Sequence, residues 1–511
     1  MKPRSSYDVV VLGATLAAVG AGALLARRGF RVLVLGQGLR PDTYGYEGFA
    51  LRRVSPTVSF VEAPAFNRLI SELAMVPTVR RRVQAREPAF QVVMPGHRVD
   101  ASAQRERQLV ELNREFGEIQ RPIEDFYRRL DTEHEALDRV FSADVALPPE
   151  GFWARREAAR AASAAPFDRE GEGRDLYAEF ASDHPFRLVV ESTLRFGADS
   201  DPDAVTALGR TRLHAAAFHG VSLAEGGVEG LRALFEEKII QFGGEVRLRD
   251  RAESIAVQRR RVTGLSLAGL DEAIGCRFIV SGIDPAETLR LTGDEPSRDF
   301  TRRLLGVRPR YHRYVLNAIV RAEGVPVGMA SRVFAIVDRK RPLTEENLLA
   351  IDVGDADDEG LVALTVTALL PRSLVEEGGN HVRRVRQRVM RALGEVMPFL
   401  ERHLVLVDSP HDGAPLEDRR SGAPVMVELR RGGLAEPMET LDLHDAPRWL
   451  GVCGLPVETE VSGLLLAGRG VVPGLGVEGE FLAALGAARV VTRSDPSRER
   501  MRRELWSKPP R

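Results

Sequence analysis

The stretch YDVVVLGATLAAVGAGALLARRGFRVLVLGQGL, residues 7–39, reads as strand, tight turn, helix and strand. Val9, Val10, Val11 and Leu12 form the continuous apolar run of a strand buried on both faces. Gly13 opens a turn, apolar positions recur at helical spacing over residues 16–28, Gly29 stops the helix, and residues 31–35 form a second buried strand. This is the βαβ opening of a dinucleotide-binding domain. There the helix N-terminus faces a pyrophosphate, glycines let backbone approach it, and an acid at the end of the second strand holds a ribose hydroxyl. Only the first glycine is in place. The expected second glycine is Thr15, the third is Ala18, which the pattern tolerates, and the expected acid is Gly36.

Working outward, 511 residues suffice for two or three domains, or for one domain interrupted by another. A formal charge of −1 argues against a nucleic-acid surface spread over the protein, and the arginine runs at 80–82, 383–391 and 498–503 read as solvated helix faces and a tail. Cys276 and Cys453, the two cysteines, lie far apart in sequence and form neither a disulfide framework nor a zinc spacing, so a cytoplasmic location is expected. No apolar run reaches the roughly 18 residues needed to cross a bilayer, and the few residues before the first strand leave no room for a signal peptide. Abundant arginine against four lysines reads as a GC-rich bacterial genome.

Further along, residues 90–94 (FQVVM) read as a strand, and 104–117 and 122–141 as amphipathic helices. The run WARREAARAASAA, 153–165, is helical. Phe152 and Trp153 beside Arg155, Arg156 and Arg160 would suit a peripheral membrane contact, the alternative being a domain-packing helix. Residues 166–175 form a polar break. After Gly226-Gly227 come a helix over 230–242 and strands at 245–248, 252–258, 262–267 and 277–280, the order of a helix feeding a parallel sheet with a small antiparallel excursion. Residues 313–321, 331–338, 348–353 and 361–370 are four strands of an antiparallel sheet, followed by a helix over 379–395. A buried strand at 463–467 leads through PGLGVEG, 473–479, into a helix over 481–493, and 494–511 reads as a polar, loosely ordered tail.

Four separated stretches resemble the phytoene-desaturase and flavin amine-oxidase superfamily: the βαβ opening, AEGGVEGLRALFEEKIIQFGGEVRLRDRAESIAVQRRRVTGLSL at 224–267, IVSGIDPAETLRLTG at 279–293, and LLLAGRGVVPGLGVEGEFLAALGAARVV at 464–491. The resemblance implies an α/β fold, a Rossmann-like FAD-binding domain discontinuous in sequence with an inserted α+β substrate domain that carries an antiparallel sheet. On that reading residues 1–62, 223–297 and 446–493 build the FAD-binding domain, 63–222 and 298–445 the substrate domain, and 494–511 the tail. Carried over residue by residue, Gly13, Ala14, Thr15, Leu16, Ala17 and Ala18 lie along the pyrophosphate of FAD, and Gly36 and Gln37 beside the adenosine ribose. Ala252 offers its backbone to the adenine, Gly468 and Arg469 approach the ribityl and phosphate region, and Gly476, Val477 and Glu478 lie under the isoalloxazine.

The sequence also departs from that family. Thr15 puts a branched side chain where relatives let bare backbone meet phosphate. Gly36 removes a carboxylate whose charge-assisted hydrogen bonds to the ribose are worth about 1.5–3 kcal/mol each. The double glycine after the second strand is replaced by DTYGY at 42–46, and Arg469 stands where many relatives have an acid. Arg469 is read either as neutralising a cofactor phosphate or as making an internal salt bridge in an emptied site. Gly36 with Arg40 also admits a reader of an NADP 2′-phosphate.

No catalytic acid, nucleophile or metal set stands out. Flavin enzymes leave hydride chemistry to the cofactor, so none is required. His214 and His219 are spaced for separate helix faces and read as packing residues, and Glu478 is the polar group to inspect beside the flavin, with a favourable helix N-terminal charge as its plainer explanation. Two functions follow. One is an FAD-dependent oxidoreductase resembling phytoene desaturases, acting on an extended apolar, polyprenoid-like small molecule. The alternative is a non-catalytic pseudoenzyme of the same fold that has lost FAD and works as a binding or scaffold protein with a protein partner.

Overall fold

Four consecutive apolar residues with no polar face need neighbours on both edges and both faces. In the computed structural model, which describes residues 5–507 except 57–61, 220–221, 225, 271, 294–296, 378, 422, 426–434 and 446–448, residues 9–12 have them. Strand β1 (Ser5–Leu12) runs parallel to β2 (Val32–Leu35) on one side and to the strand Ala273–Ser281 on the other. Glu245–Arg247 extends the sheet beyond β2. The strand Ala273–Ser281 uses its outer edge twice: residues 273–275 pair antiparallel with Arg261–Leu267, and 279–281 pair in parallel with Leu464–Leu466. Segments from the start, middle and end of the chain thus complete one seven-stranded sheet.

Helix α1 (Leu16–Arg27) crosses from β1 to β2, and each of its residues 16–26 is buried. A helix buried all round has no room for a polar stripe, and close neighbours demand small residues. A Cβ added at Gly20 would lie 3.4 Å from Ala484 of the helix Gly476–Arg493. One added at Gly22 would lie 3.1 Å from Val11 beneath it and 3.3 Å from Ile239 of the helix Gly227–Gln241. The alanine and glycine content of α1 is therefore the record of three tight contacts. At its far end the buried Arg28 donates to both carboxylate oxygens of Glu72 at 2.7 and 3.1 Å and to Thr492 at 3.0 Å, tying α1 to two further helices.

A ten-stranded sheet forms the second layer system. Its axis is the long strand Val307–Arg321, which pairs antiparallel with Leu361–Pro371 over residues 311–321. Its other edge is shared by Glu439–His444 and Leu404–Asp408. Leu348–Ala356 and Arg332–Ile336 continue the sheet, and Phe90–Met94 joins Arg332–Ile336 in parallel, carrying His97–Ala101 at the border. The helix Gly379–Val396 covers one face through Val385, Val389 and Leu393. An aromatic cluster of Phe126, Tyr127, Phe186 and Phe218 fills the helical layer beside Phe90.

Near the C-terminus two boundaries differ from expectation. The last buried helix begins at Gly476 rather than 481, and residues 496–507 of the expected loose tail form a helix, Pro496–Ser507. The tail is held by the buried Arg502, which donates to Asp144 at 2.8 Å and Glu499 at 2.8 Å. An arginine is the anchor, so apolar periodicity could not reveal it.

Gly36 closes β2 with a constraint of its own: an added Cβ would overlap the carbonyl of Leu248. The missing acid is therefore excluded by backbone packing. Gly36→Ala and Gly36→Asp are each expected to cost about 1–3 kcal/mol of stability through overpacking, read by urea denaturation; an aspartate tolerated without loss would refute this packing account.

Candidate functional site

A cleft of about 470 Å³ lies between the end of the parallel sheet and the ten-stranded sheet. Of the residues expected to hold a dinucleotide, Gly13, Ala14, Thr15, Leu16, Gly36, Gln37, Arg469, Gly476 and Val477 line it. Ala17, Ala18, Ala252, Gly468 and Glu478 are not on its wall. Opposite stand Phe90, Phe196, Leu213, Ala217 and Phe334, with the rings of Phe196 and Phe334 stacked at 5.9 Å.

The turn after β1 places these groups. Gly13 adopts φ +82°, and an added Cβ would meet Ile283 at 2.7 Å. Thr15 caps α1: its hydroxyl accepts from the amide of Ala18 at 3.2 Å and donates to the carbonyl of Ala467 at 3.3 Å. The amide of Ala17 donates to Glu480 Oε2 at 3.2 Å. Both of these N-terminal amides, which would otherwise face a pyrophosphate, are thus taken by side chains of the chain itself.

Glu480 belongs to a charged belt in which it and Asp199 are buried, while Arg469 is 38% exposed. Arg469 Nη1 lies 2.7 Å from Glu439 and its Nε 3.8 Å from Glu480. Arg313 Nη1 lies 3.2 Å from Asp199 and 3.4 Å from Glu439. Burial pushes the Glu480 carboxyl up to about 7 against the pull of Arg469. Burial also works upward on Glu439, but the two guanidinium groups hold it below the usual carboxylate range. Of the two roles open to Arg469, the geometry is that of the internal salt bridge.

The adenosine end is closed in the same manner. Gln37 Nε2 donates to the carbonyl of Ala252 at 3.0 Å, and the amide of Ala252 donates to Gln37 Oε1 at 2.8 Å. The backbone expected to read adenine is already paired. Arg40, the candidate for a 2′-phosphate, is 60% exposed, lies 3.8 Å from Glu436 and is off the cleft wall.

Glu478 requires a correction. It is fully buried and turned away from the cleft, with its carboxylate held by Arg212 at 2.6 and 2.7 Å; Arg212 also reaches Asp138 at 2.6 Å. Removing one partner of such a pair costs about 3–5 kcal/mol, so this is a structural clamp. Its partner stands 266 positions away, out of reach of motif reading. His214 is equally internal, bonded to Tyr127 at 3.3 Å and Thr193 at 3.0 Å, and burial pushes its pKa down to about 3. The side chain of His219 lies outside the described residues. Among the described residues there is no group of three or more metal-ligating side chains and no helix long and apolar enough to cross a membrane.

No family model and no curated protein matches the chain. Solved structures do. An oxidoreductase from Methanosarcina mazei superposes with a TM-score of 0.59 at 16% identity, covering 94% of this chain and 99% of its own. A triple mutant of putrescine oxidase gives 0.59 at 13% identity over 96% and 99%. Cyclohexylamine oxidase from Brevibacterium oxydans IH-35A gives 0.54 at 14% over the same shares. The chain has the fold of the flavin amine oxidases. At these identities the likeness extends to fold alone.

FAD, the cofactor which that fold implies, would compete in this cleft with contacts the chain makes within itself. The two amides at the start of α1 and both backbone groups of Ala252 have partners within the chain, the ribose acid is sterically excluded at Gly36, and a buried carboxylate stands at the anion end of α1.

Glu480 yields a pH signature. Its pKa is raised on folding from 4.5 to about 7, so the stability it contributes is full below pH 4.5 and is lost as pH rises through 7. Glu480→Gln should abolish that decline, a difference on the order of 3 kcal/mol between pH 4.5 and 8 in urea unfolding; parallel curves for the two proteins would refute it.

Proposed function

We propose that this chain is a non-catalytic binding protein built on the flavin amine-oxidase fold, one that holds its cleft together with its own side chains instead of FAD. The observation that carries this reading is the Glu480 carboxylate on the amide of Ala17, where a dinucleotide would place its pyrophosphate. A phosphate brought there would compete with that carboxyl for the amide, and wherever the acid is ionised the two like charges repel. The cleft retains an apolar wall at Phe90, Phe196 and Phe334, which suits an elongated, largely apolar small molecule. Without chemistry of its own, such a protein acts through a protein partner, and a cytoplasmic location accords with two free, buried cysteines.

The second reading is an FAD-dependent oxidoreductase resembling the phytoene desaturases, acting on a polyprenoid-like substrate. It is supported by the continuity of the cleft from Gly36 past Gly13 to Gly476 and Val477. It requires Glu480 to be neutral or displaced and Gln37 to release Ala252. The absorption spectrum of the purified protein separates the two. The binding-protein reading expects no flavin bands and no rise in melting temperature on addition of FAD. Stoichiometric flavin would sink it.

Peripheral membrane contact belongs to the same proposal. Phe152 and Trp153 are 71% and 73% exposed on the helix Gly151–Ala162, of which only Ala158 is buried, and Arg155, Arg156 and Arg160 are exposed beside them. Flotation with phosphatidylglycerol vesicles should recover the protein, and F152A/W153A should lose at least half of that recovery; equal recovery of both proteins would remove the membrane from the account.

A further inference from the structure

A second cleft, of about 510 Å³, opens beside the N-terminus of the helix Gly227–Gln241, and its walls carry Arg52, Arg81, Arg82 and Arg86. Its acids are few. Asp352 is bound to Arg332 at 2.5 Å and accepts from Ser55 at 3.0 Å, and Asp355, 86% exposed, lies 3.5 Å from Arg86. Among the described residues Arg52, Arg81 and Arg82 have no carboxylate within ion-pair range, unlike the arginines of the first cleft.

The positive end of a fifteen-residue helix adds to this charge. Its cap is Gly226, with no side-chain hydrogen bond, and both Gly226 and Gly227 have positive φ, so that the backbone turns without a side chain covering the first amides. A Cβ added at Gly227 would lie 3.2 Å from the carbonyl oxygen of Pro56 and 3.3 Å from Arg52 Nη1, so both border the start of the helix. The acid of the first turn, Glu229, lies 3.6 Å from Arg232 instead. Such an arrangement gains its missing counter-charge from a bound anion. Four forked guanidinium groups in a volume of this size exceed the needs of a single halide and match a phosphate group attached to a larger body.

We propose that this second cleft binds a phosphorylated small molecule, with Arg52, Arg81, Arg82 and Arg86 holding its phosphate groups. The site is independent of the dinucleotide question, because none of these arginines lines the first cleft. The arginine run at 80–82 accordingly divides, with Arg81 and Arg82 on the cleft wall and Arg80 off it.

Calorimetric titration of the full chain with sodium pyrophosphate tests the assignment. The expected result is a single site, weakened by added salt, with at least tenfold weaker binding in R52A/R82A and in R81A/R82A and unchanged binding in R80A. Arg81 and Arg82 are exposed, so the second double variant reports on binding without disturbing a core. A second arm identifies the source of the phosphate. If R52A/R82A also loses recovery with phosphatidic acid vesicles while W153A retains it, the ligand is a lipid headgroup; if only the soluble titration responds, it is a free phosphorylated metabolite. Absence of pyrophosphate binding, or equal affinity in wild type and both double variants, overturns the proposal.

Discussion

Glu480 and the amide of Ala17 stand 3.2 Å apart, and that one hydrogen bond joins the last long helix of the chain to the first. Helix α1 is buried from Leu16 to Ala26, so the amides of Ala17 and Ala18 have no recourse to water and must find acceptors nearby. In a dinucleotide-binding protein the ligand supplies them. Here Thr15 and Glu480 do, and a carboxylate at a helix N-terminus is favourable by about 0.3–1 kcal/mol, more where it is partly buried. Once an acid occupies that position, the rest of the belt follows. Arg469 approaches it, Glu439 balances Arg469, and Arg313 links Glu439 to Asp199.

The same economy governs the glycines. Gly13 makes room for Ile283 and Gly36 for the backbone of Leu248, while a Cβ at Gly282 would press on Ala18 at 2.6 Å. In each case the space left by the absent side chain is filled by another part of the chain. A glycine in such a fingerprint can serve a ligand or serve the packing, and only the neighbour found in that space tells which. At Gly36 the neighbour is protein, which makes the loss of the ribose acid and the close approach of residue 248 a single structural fact.

The two clefts differ in how their charges are settled. In the first, arginine and carboxylate alternate and, among the described residues, each cation has a partner: Arg469 with Glu439, Arg313 with Asp199, Arg232 at 3.8 Å from Asp42. Such a site is electrostatically closed, and a charged ligand would have to break pairs to enter. In the second, guanidinium groups accumulate beside a helix end, with Asp352 and Asp355 the acids among the described residues of its walls. Apolar ligands suit the first and anionic ones the second.

The sequence by itself determined the βαβ opening, the return of the chain to the parallel sheet at 245–281 and 464–466, and four central strands of the second sheet, because each depends on local hydrophobic period and turn chemistry. It also showed which fingerprint positions had changed. It did not determine what replaced them. Glu480 meets Ala17 across 463 positions, Glu478 meets Arg212 across 266, and Gln37 meets Ala252 across 215. Those pairings rest on side chains converging from elements far apart in the chain, and no period or spacing encodes them. Phe90–Met94 was legible as a strand, but its parallel partner Arg332–Ile336 was not, since strand propensity carries no address. The opening stretch thus specified the shape of a cofactor site, and only the tertiary structure decided that its donors are bound to the protein's own groups, because burial obliges each polar group to pair with whatever the fold brings within reach.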